Sequence, residues 1–446
     1  MKVLFSLLFF SLWFVPSVVY ADTIKVSEGE DLQAIMDGAE PGDEILLEKG
    51  VYSGPFVIRE SIILQGEKGA KIAGTEKGFV LKVTADDVTV EGLIIEKSGS
   101  QNAGISVAGN RVHIKRNTIG NVFNGVEVKE AYAPIIENNI ISSYTDDRHK
   151  GFGIYLVDSP HAQVTGNQLS HLQDGVYVSF SNLCQVTGNS IRKARYGVHA
   201  MDSTSVVIND NEVFESRNGL MIMQSYEVRI KGNDLHDNTL LDGAGIFMFD
   251  TFSSQIKNNR IVDNRKGIYL ENAIGNDISF NKIAGNHLGL DVGEASKDNR
   301  IFLNNFLSNN KQVVTTIESE NDFFVSEHGN YWDNQRHITL DGDNQVDFAY
   351  KSGDAFHHMI AEEPLLQAFS GSPAIQMWNA IEQFTPIPSD TFITDPYPLA
   401  EPAPINRIGT ETEALAEGKM LTGPALFFST LVVFSGALII TAWRRK

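Results

Sequence analysis

Residues 175–196, GVYVSFSNLCQVTGNSIRKARY, run without a gap into residues 197–218, GVHAMDSTSVVINDNEVFESRN. Each block is 22 residues long, opens on Gly and an apolar residue, and carries an Asn two places before a later apolar residue (Asn189 before Ile191, Asn211 before Val213). Working outward, the Gly recurs at Gly104, Gly125, Gly153, Gly175, Gly197, Gly219, Gly245, Gly267 and Gly289. The Asn recurs at Asn117, Asn139, Asn167, Asn189, Asn211, Asn233, Asn259 and Asn281, with Asn305 assigned to the next round. Longer steps near Thr145 and Leu240 read as insertions in turns.

A period of this length also suits leucine-rich repeats. The content argues against them: the units are short alternating strands such as Gly175-Val176-Tyr177-Val178 and Val206-Val207-Ile208, too short for a helix and without the required Leu spacing. Alternation with period 2 sends successive side chains to opposite faces. One such unit cannot bury its apolar face, whereas units stacked about 4.8 Å apart build a continuous core. The expected fold is therefore all-β: a right-handed parallel β-helix solenoid with three short strands per turn of the coil. The recurrent Asn is expected to hold turns by pairing amides between coils, and the Gly to permit a sharp turn. Residues 22–99 continue the solenoid more loosely. Leu32 to Met36 reads as a short amphipathic cap, and Ile45–Leu47, Phe56–Ile58, Ile62–Leu64 and Val88–Val90 read as strands.

Counting from each Gly exposes the outward columns. Two places on stand Ser106, Glu127, Tyr155, Tyr177, His199, Met221, Phe247, Tyr269 and Asp291; four places on, the central coils offer Ser179, Met201, Met223 and Phe249. If register holds, His199, Met201, Met221 and Met223 form one outward patch on two adjacent coils. Thioether sulfur and imidazole suit copper, Cu(I) above all, although Met also fills uneven interfaces. The aromatic members of the column could instead stack on sugar rings or a partner. Glu127 and Asp291 stand at opposite ends of it, too far apart for paired acid and base work on a glycosidic bond.

The chain's net charge of −20 disfavours nucleic acid as a partner. A single cysteine, Cys184, excludes an internal disulfide framework and reads as a packed thiol. Residues 1–21 read as a signal peptide cleaved before Asp22. An uncharged apolar stretch over 421–443, followed by Arg444, Arg445 and Lys446, reads as a transmembrane anchor with a short cytoplasmic tail at 444–446. These ends hold Lys2 and the three terminal cations but no acid, so the exported body is more acidic still. The expected order is signal peptide 1–21, cap and first coils 22–99, regular coils and end cap 100–350, a helical and Pro-rich extension 351–406, linker 407–420, and the anchor.

Weaker features surround this scheme. Asp146, Asp147, Arg148 and His149 read as a solvated turn; Asp341, Gly342, Asp343 and Asp347 as a calcium or turn-structuring loop; His357, His358 and Met359 as an extra copper contact or chance surface residues. No phosphate loop, zinc-protease motif or nucleophile elbow is present. Ile375, Trp378 and Ile381 recur at helical spacing and form an apolar stripe.

Beyond the last regular coil come Asn330-Tyr331-Trp332-Asp333, then Asp341-Gly342-Asp343, Glu363-Pro364-Leu365, Ser372-Pro373-Ala374 and Asp395-Pro396-Tyr397-Pro398-Leu399. With these segments the chain, from about residue 22 to 400, resembles the NosD family, exported β-helical maturation proteins of nitrous-oxide reductase. The resemblance implies a non-enzymatic, periplasmic metallochaperone role in denitrification. The protein would sit on an ABC permease and its ATPase subunits, hydrolyse no ATP itself, and handle copper transiently. It would pass that copper from a lipoprotein chaperone to apo-nitrous-oxide reductase for its copper sulfide centre. Ile375, Trp378 and Ile381 would then contact the permease or membrane surface, or cap the coil. The competing functions are a non-catalytic scaffold or sugar-binding module, and a polysaccharide lyase or hydrolase.

Overall fold

The computed structural model describes residues 22–144, 149–293, 295–315, 320–352, 364–369, 372–382 and 393–405. Parallel pairing is continuous along the coil. One ladder holds 13 strands, from Thr23–Val26 to Arg300–Phe302. The other two ladders merge into a single sheet because strands Gln168–Ser179 and Ser190–Met201 run unbroken through the corner between them. The architecture is a right-handed parallel β-helix with a short C-terminal helix. Its core is a stack of equivalent aliphatic side chains such as Val164, Val186, Ile208 and Ile230, each essentially inaccessible. Cys184 packs among them, and burial raises its thiol to about 11, far from thiolate chemistry.

At the N-terminal end, helix Leu32–Asp37 covers the first coil with Leu32 and Met36, and the Asp31 carboxylate caps it by accepting from Ala34 N at 3.0 Å.

The Asn residues form an internal ladder. Asn189 Nδ2 donates to Asn211 Oδ1 at 2.9 Å, and Asn211 Nδ2 donates to Asn233 Oδ1 at 3.0 Å. The same bond links Asn167 to Asn189, Asn233 to Asn259 and Asn259 to Asn281. Each rung also donates to a core-strand carbonyl, as Asn211 does to Val186 O at 2.8 Å. One rung differs from the expectation: after Asn281 the ladder passes to Asn304, not Asn305, and ends on Asn330. Asn305 turns the other way and exchanges two bonds with the backbone of Ala403.

The recurrent Gly has a different cause from the expected sharp turn, since none of the nine has a positive φ. Each lies so close to the next coil that a β-carbon has no room. At Gly197 it would stand 2.5 Å from Gly219 O and collide with Val213. Gly197→Ala is therefore expected to destabilise the protein by about 2 kcal/mol through overpacking, which denaturant unfolding would measure.

The expected transmembrane helix is corrected here. No helix among the described residues is long and apolar enough to cross a membrane. The segment 421–443 lies outside those residues, as do 1–21 and the linker. The fold of the described residues contains no membrane anchor, which overturns the expected attachment through a C-terminal helix and the single-pass anchored location.

The C-terminal end is closed from within the chain. Trp332 is fully buried, stacked between Phe306 at 4.3 Å and Tyr350 at 4.1 Å. Strand Ile393–Asp395 pairs antiparallel with Tyr350–Ser352 and brings Asp395 under the Trp332 indole.

Candidate metal site

Register brings the four expected residues together. His199 is the direct partner of Met221, and Met201 of Met223, on strands Ser190–Met201 and Asn218–Met223. His199 and Met221 are buried, whereas Met201 and Met223 are half-exposed at the rim. The flanking coils wall the patch with Tyr177 beside His199 on one side and with Phe247 and Phe249 beside the two methionines on the other.

The imidazole is held on three sides. Tyr177 and Tyr196 meet it edge to face, with ring centroids 4.9 and 5.2 Å away. Its Nδ1 lies 3.0 Å from Asp174 Oδ2. Asp174 is fully buried, and its carboxylate also accepts two bonds from Arg195, Nε to Oδ1 and Nη2 to Oδ2, both at 2.9 Å. That pairing raises the Arg195 guanidinium further above its ordinary range, while its plane covers the Tyr196 ring.

A carboxylate can only accept, so Nδ1 carries a proton, and in the neutral imidazole Nε2 keeps its lone pair. That Nε2 is buried and has no hydrogen-bond partner. Most buried polar atoms are satisfied, so a buried imidazole nitrogen with no hydrogen-bond partner, in register with a thioether, has the chemistry of a metal ligand. A histidine with its other nitrogen on a carboxylate is also the usual support for a metal-binding imidazole. The sulfurs have weak partners of their own: Tyr177 Oη donates to Met201 Sδ at 3.6 Å and Asn218 Nδ2 to Met221 Sδ at 3.7 Å. These bonds orient the side chains at little energetic cost to an incoming cation. The donor set, one neutral imidazole and soft thioethers, suits copper. No group of three or more His, Cys, Asp or Glu side chains that could hold a metal is found among the described residues.

Sequence reading missed Asp174 and Arg195. The one signal was an Asp immediately before Gly175, in a column whose following coils carry Tyr196, Asn218, Ala244 and Lys266.

Glu127 and Asp291 stand seven rungs apart, about 34 Å at the usual strand spacing, and each is tied to a lysine, Lys129 and Lys266 respectively. The aromatic column packs on itself: Tyr155 stacks on Tyr177 at 5.2 Å and Phe247 on Tyr269 at 4.5 Å. In the Asp341–Asp347 loop the carboxylates serve the loop's own backbone, Asp347 Oδ2 accepting from Leu340 N and Asp343 Oδ1 from Gln345 N. His357, His358 and Met359 lie outside the described residues, as do Asp146, Asp147 and Arg148. Helix Pro373–Glu382 forms as expected, with Trp378 exposed and Ile375 half-buried, while the surroundings of Ile381 lie outside the description.

Residues 142–336, which include the whole patch, match the family model described as periplasmic copper-binding protein (NosD). A protein of Pseudomonas aeruginosa named as a probable ABC transporter binding protein NosD is 35% identical over 388 residues, 80% of this chain and 89% of that one. Its namesake in Stutzerimonas stutzeri is 33% identical over 390 residues, 82% of this chain and 88% of its own. Among solved structures, a mannuronan C-5 epimerase A-module of Azotobacter vinelandii superposes with a TM-score of 0.57 at 13% identity. It covers 66% of this chain and 92% of the module, a likeness of fold alone. The relatives are named as binding proteins, not enzymes. With identity spread over four-fifths of its length, the chain belongs to the NosD family of periplasmic copper-binding β-helix proteins.

Proposed function

We propose that this chain is the periplasmic component of an ABC-type complex, which takes up copper as cargo and passes it to apo-nitrous-oxide reductase for its copper sulfide centre. His199, Met201, Met221 and Met223 hold the ion in transit. The observation that carries this reading is the buried, unpartnered Nε2 of His199, in register with Met221 and beside two half-exposed thioethers. Half-exposure matters for a carrier. Met201 and Met223 at the rim can exchange the ion with an incoming donor or acceptor, while His199 and Met221 retain it. Family membership supports both parts of this reading: the family's description names copper, and the two relatives' names give the ABC transporter.

A copper lipoprotein chaperone is the donor in this scheme, and permease motion driven by the ATPase subunits changes which partner reaches the rim. The exposed side of the helix carrying Ile375, Trp378 and Ile381 is the permease contact. Trp378→Asp is expected to reduce co-purification of the permease several-fold without lowering copper uptake by the isolated protein.

The decisive experiment follows copper loading of apo-reductase by the reconstituted complex. The joint variant His199→Gln, Met201→Leu, Met221→Leu and Met223→Leu is expected to assemble normally and to lose loading at least about ten-fold, because no soft donor remains. Full loading by the assembled variant would sink the assignment of the site.

A further inference from the structure

Asp174 is a carboxylate with no exposed surface on a sheet face where the neighbouring coils place Tyr196, Asn218 and Ala244 at the same register. Stacking of the coils does not require it. A buried carboxylate is costly unless it is paired and fully hydrogen-bonded, and this one is met by two N–H groups of Arg195 and by His199 Nδ1. The result is a line of guanidinium, carboxylate and imidazole ending at the bare Nε2.

We propose that Asp174 and Arg195 are positioning residues that set which cation the thioether–imidazole patch accepts: Asp174 holds His199 with Nε2 free for the ion, and Arg195 cancels the carboxylate charge, so that the site selects a soft monovalent cation over a divalent one. This rests on the copper-site reading above and deepens it.

The physical argument is a comparison of charges. Asp174 and Arg195 sum to zero, and the imidazole and thioethers are neutral. An ion entering this spot therefore meets no net charge from its ligands or from the Asp174–Arg195 pair behind them, under walls formed by Tyr177, Phe247 and Phe249. The desolvation cost of an ion rises with the square of its charge, about four times larger for a divalent than for a monovalent ion of similar size. Thioether donors add the preference for a soft ion. Without Arg195 the carboxylate would be an uncompensated negative charge one residue behind the ligand, and a divalent cation would gain most from it. Without Asp174 nothing fixes the proton on Nδ1, and the tautomer with Nε2 blocked becomes available.

The test uses the mature full-length protein with Ag(I) as a redox-inert probe, Cu(I) in competition with a bicinchoninate-type chelator, and Zn(II). The wild type is expected to bind both monovalent ions and to prefer them to Zn(II) by at least about a hundredfold. In Arg195→Gln that ratio falls about tenfold because Zn(II) binds more tightly, and Arg195→Lys restores it. In Asp174→Asn, monovalent affinity drops about 10–100-fold, and the imidazole 15N signals that vanish in His199→Gln move from the Nδ1–H to the Nε2–H pattern. A merely structural role would weaken every cation in parallel with thermal stability, and that outcome overturns the proposal. So does an Nε2–H tautomer in the metal-free wild type. A wild type that binds neither monovalent ion, yet shows the Nδ1–H pattern, overturns the copper site itself. Monovalent binding with an unchanged ratio in Arg195→Gln overturns only the selectivity.

Discussion

Asn211→Leu is expected to destabilise the middle of the solenoid by about 4–5 kcal/mol, more than any aliphatic truncation of similar volume. The side chain is fully enclosed and serves both neighbouring coils. It accepts from Asn189 N at 3.0 Å and Asn189 Nδ2 at 2.9 Å, and it donates to Val186 O at 2.8 Å and Asn233 Oδ1 at 3.0 Å. Leucine fits the volume but leaves two donors and a carbonyl without partners in the core. Each such orphan costs about 1–3 kcal/mol. Asn211→Asp is nearly isosteric and is expected to do no better. One carboxylate oxygen can accept from Asn189, but the other faces the Val186 carbonyl and Asn233 Oδ1, acceptor against acceptor. Because each coil contacts only its neighbours, the loss should be local. Amide exchange is expected to accelerate on the coils at Val186 and Ile230 while the N-terminal coils keep their protection. Uniform acceleration along the whole chain would contradict that nearest-neighbour view.

The same logic separates what the sequence made legible from what it did not. A ladder needs the same residue on every coil, so Asn189 and Asn211 announce themselves by period, and His199 lands on Met221 by the same arithmetic. Where the step changes, the reading slips. From Asn281 the interval is 23 residues, which moves the rung to Asn304 and frees Asn305 to hold Ala403. The Gly column was visible as a pattern, but its cause was not, because the clash that forbids a β-carbon involves the next coil's carbonyl and not local backbone angles. Asp174 was hardest to see. Its contact with His199 runs diagonally, one coil on and three places along, and depends on side-chain conformations that periodicity does not encode. Repetition reveals scaffold; the site appears where one coil departs from it. The dense family-like segments near the end behave in a third way. Asn330 and Trp332 looked like a motif of their own, yet Asn330 is simply the last rung, and Asp395, more than sixty residues on, completes it.

That closure gives the second large effect, and it depends on pH. Asp395 accepts from Asn330 N at 2.7 Å, Trp332 Nε1 at 2.9 Å and Tyr397 N at 3.1 Å, in a site with no exposed surface. Burial pushes its carboxyl up to about 6, against those donors, which favour the charged form. A folded-state pKa above the unfolded one means that folding favours the protonated acid. The stabilisation is therefore fully present below about pH 4 and is lost as pH rises through about 6, a swing of about 3 kcal/mol. The end closure is thus expected to be tighter at pH 5 than at pH 7.5, with slower exchange of the Trp332 indole proton in acid. Asp395→Ala removes the acceptor that Asn330, Trp332 and Tyr397 share and opens a void beside Trp332, a loss of about 3–4 kcal/mol at pH 5. The gap to the wild type should narrow at pH 7.5, because the variant no longer holds a charge in the core. Asp395→Asn keeps the volume and one acceptor oxygen, so it should lose less and show no slope between pH 5 and 7.5. Thermal unfolding of the three proteins at both pH values measures all of this. A wild type that gains stability across that interval would mean that the three donors outweigh burial, and that Asp395 works as a permanently charged anchor for Asn330 and Trp332.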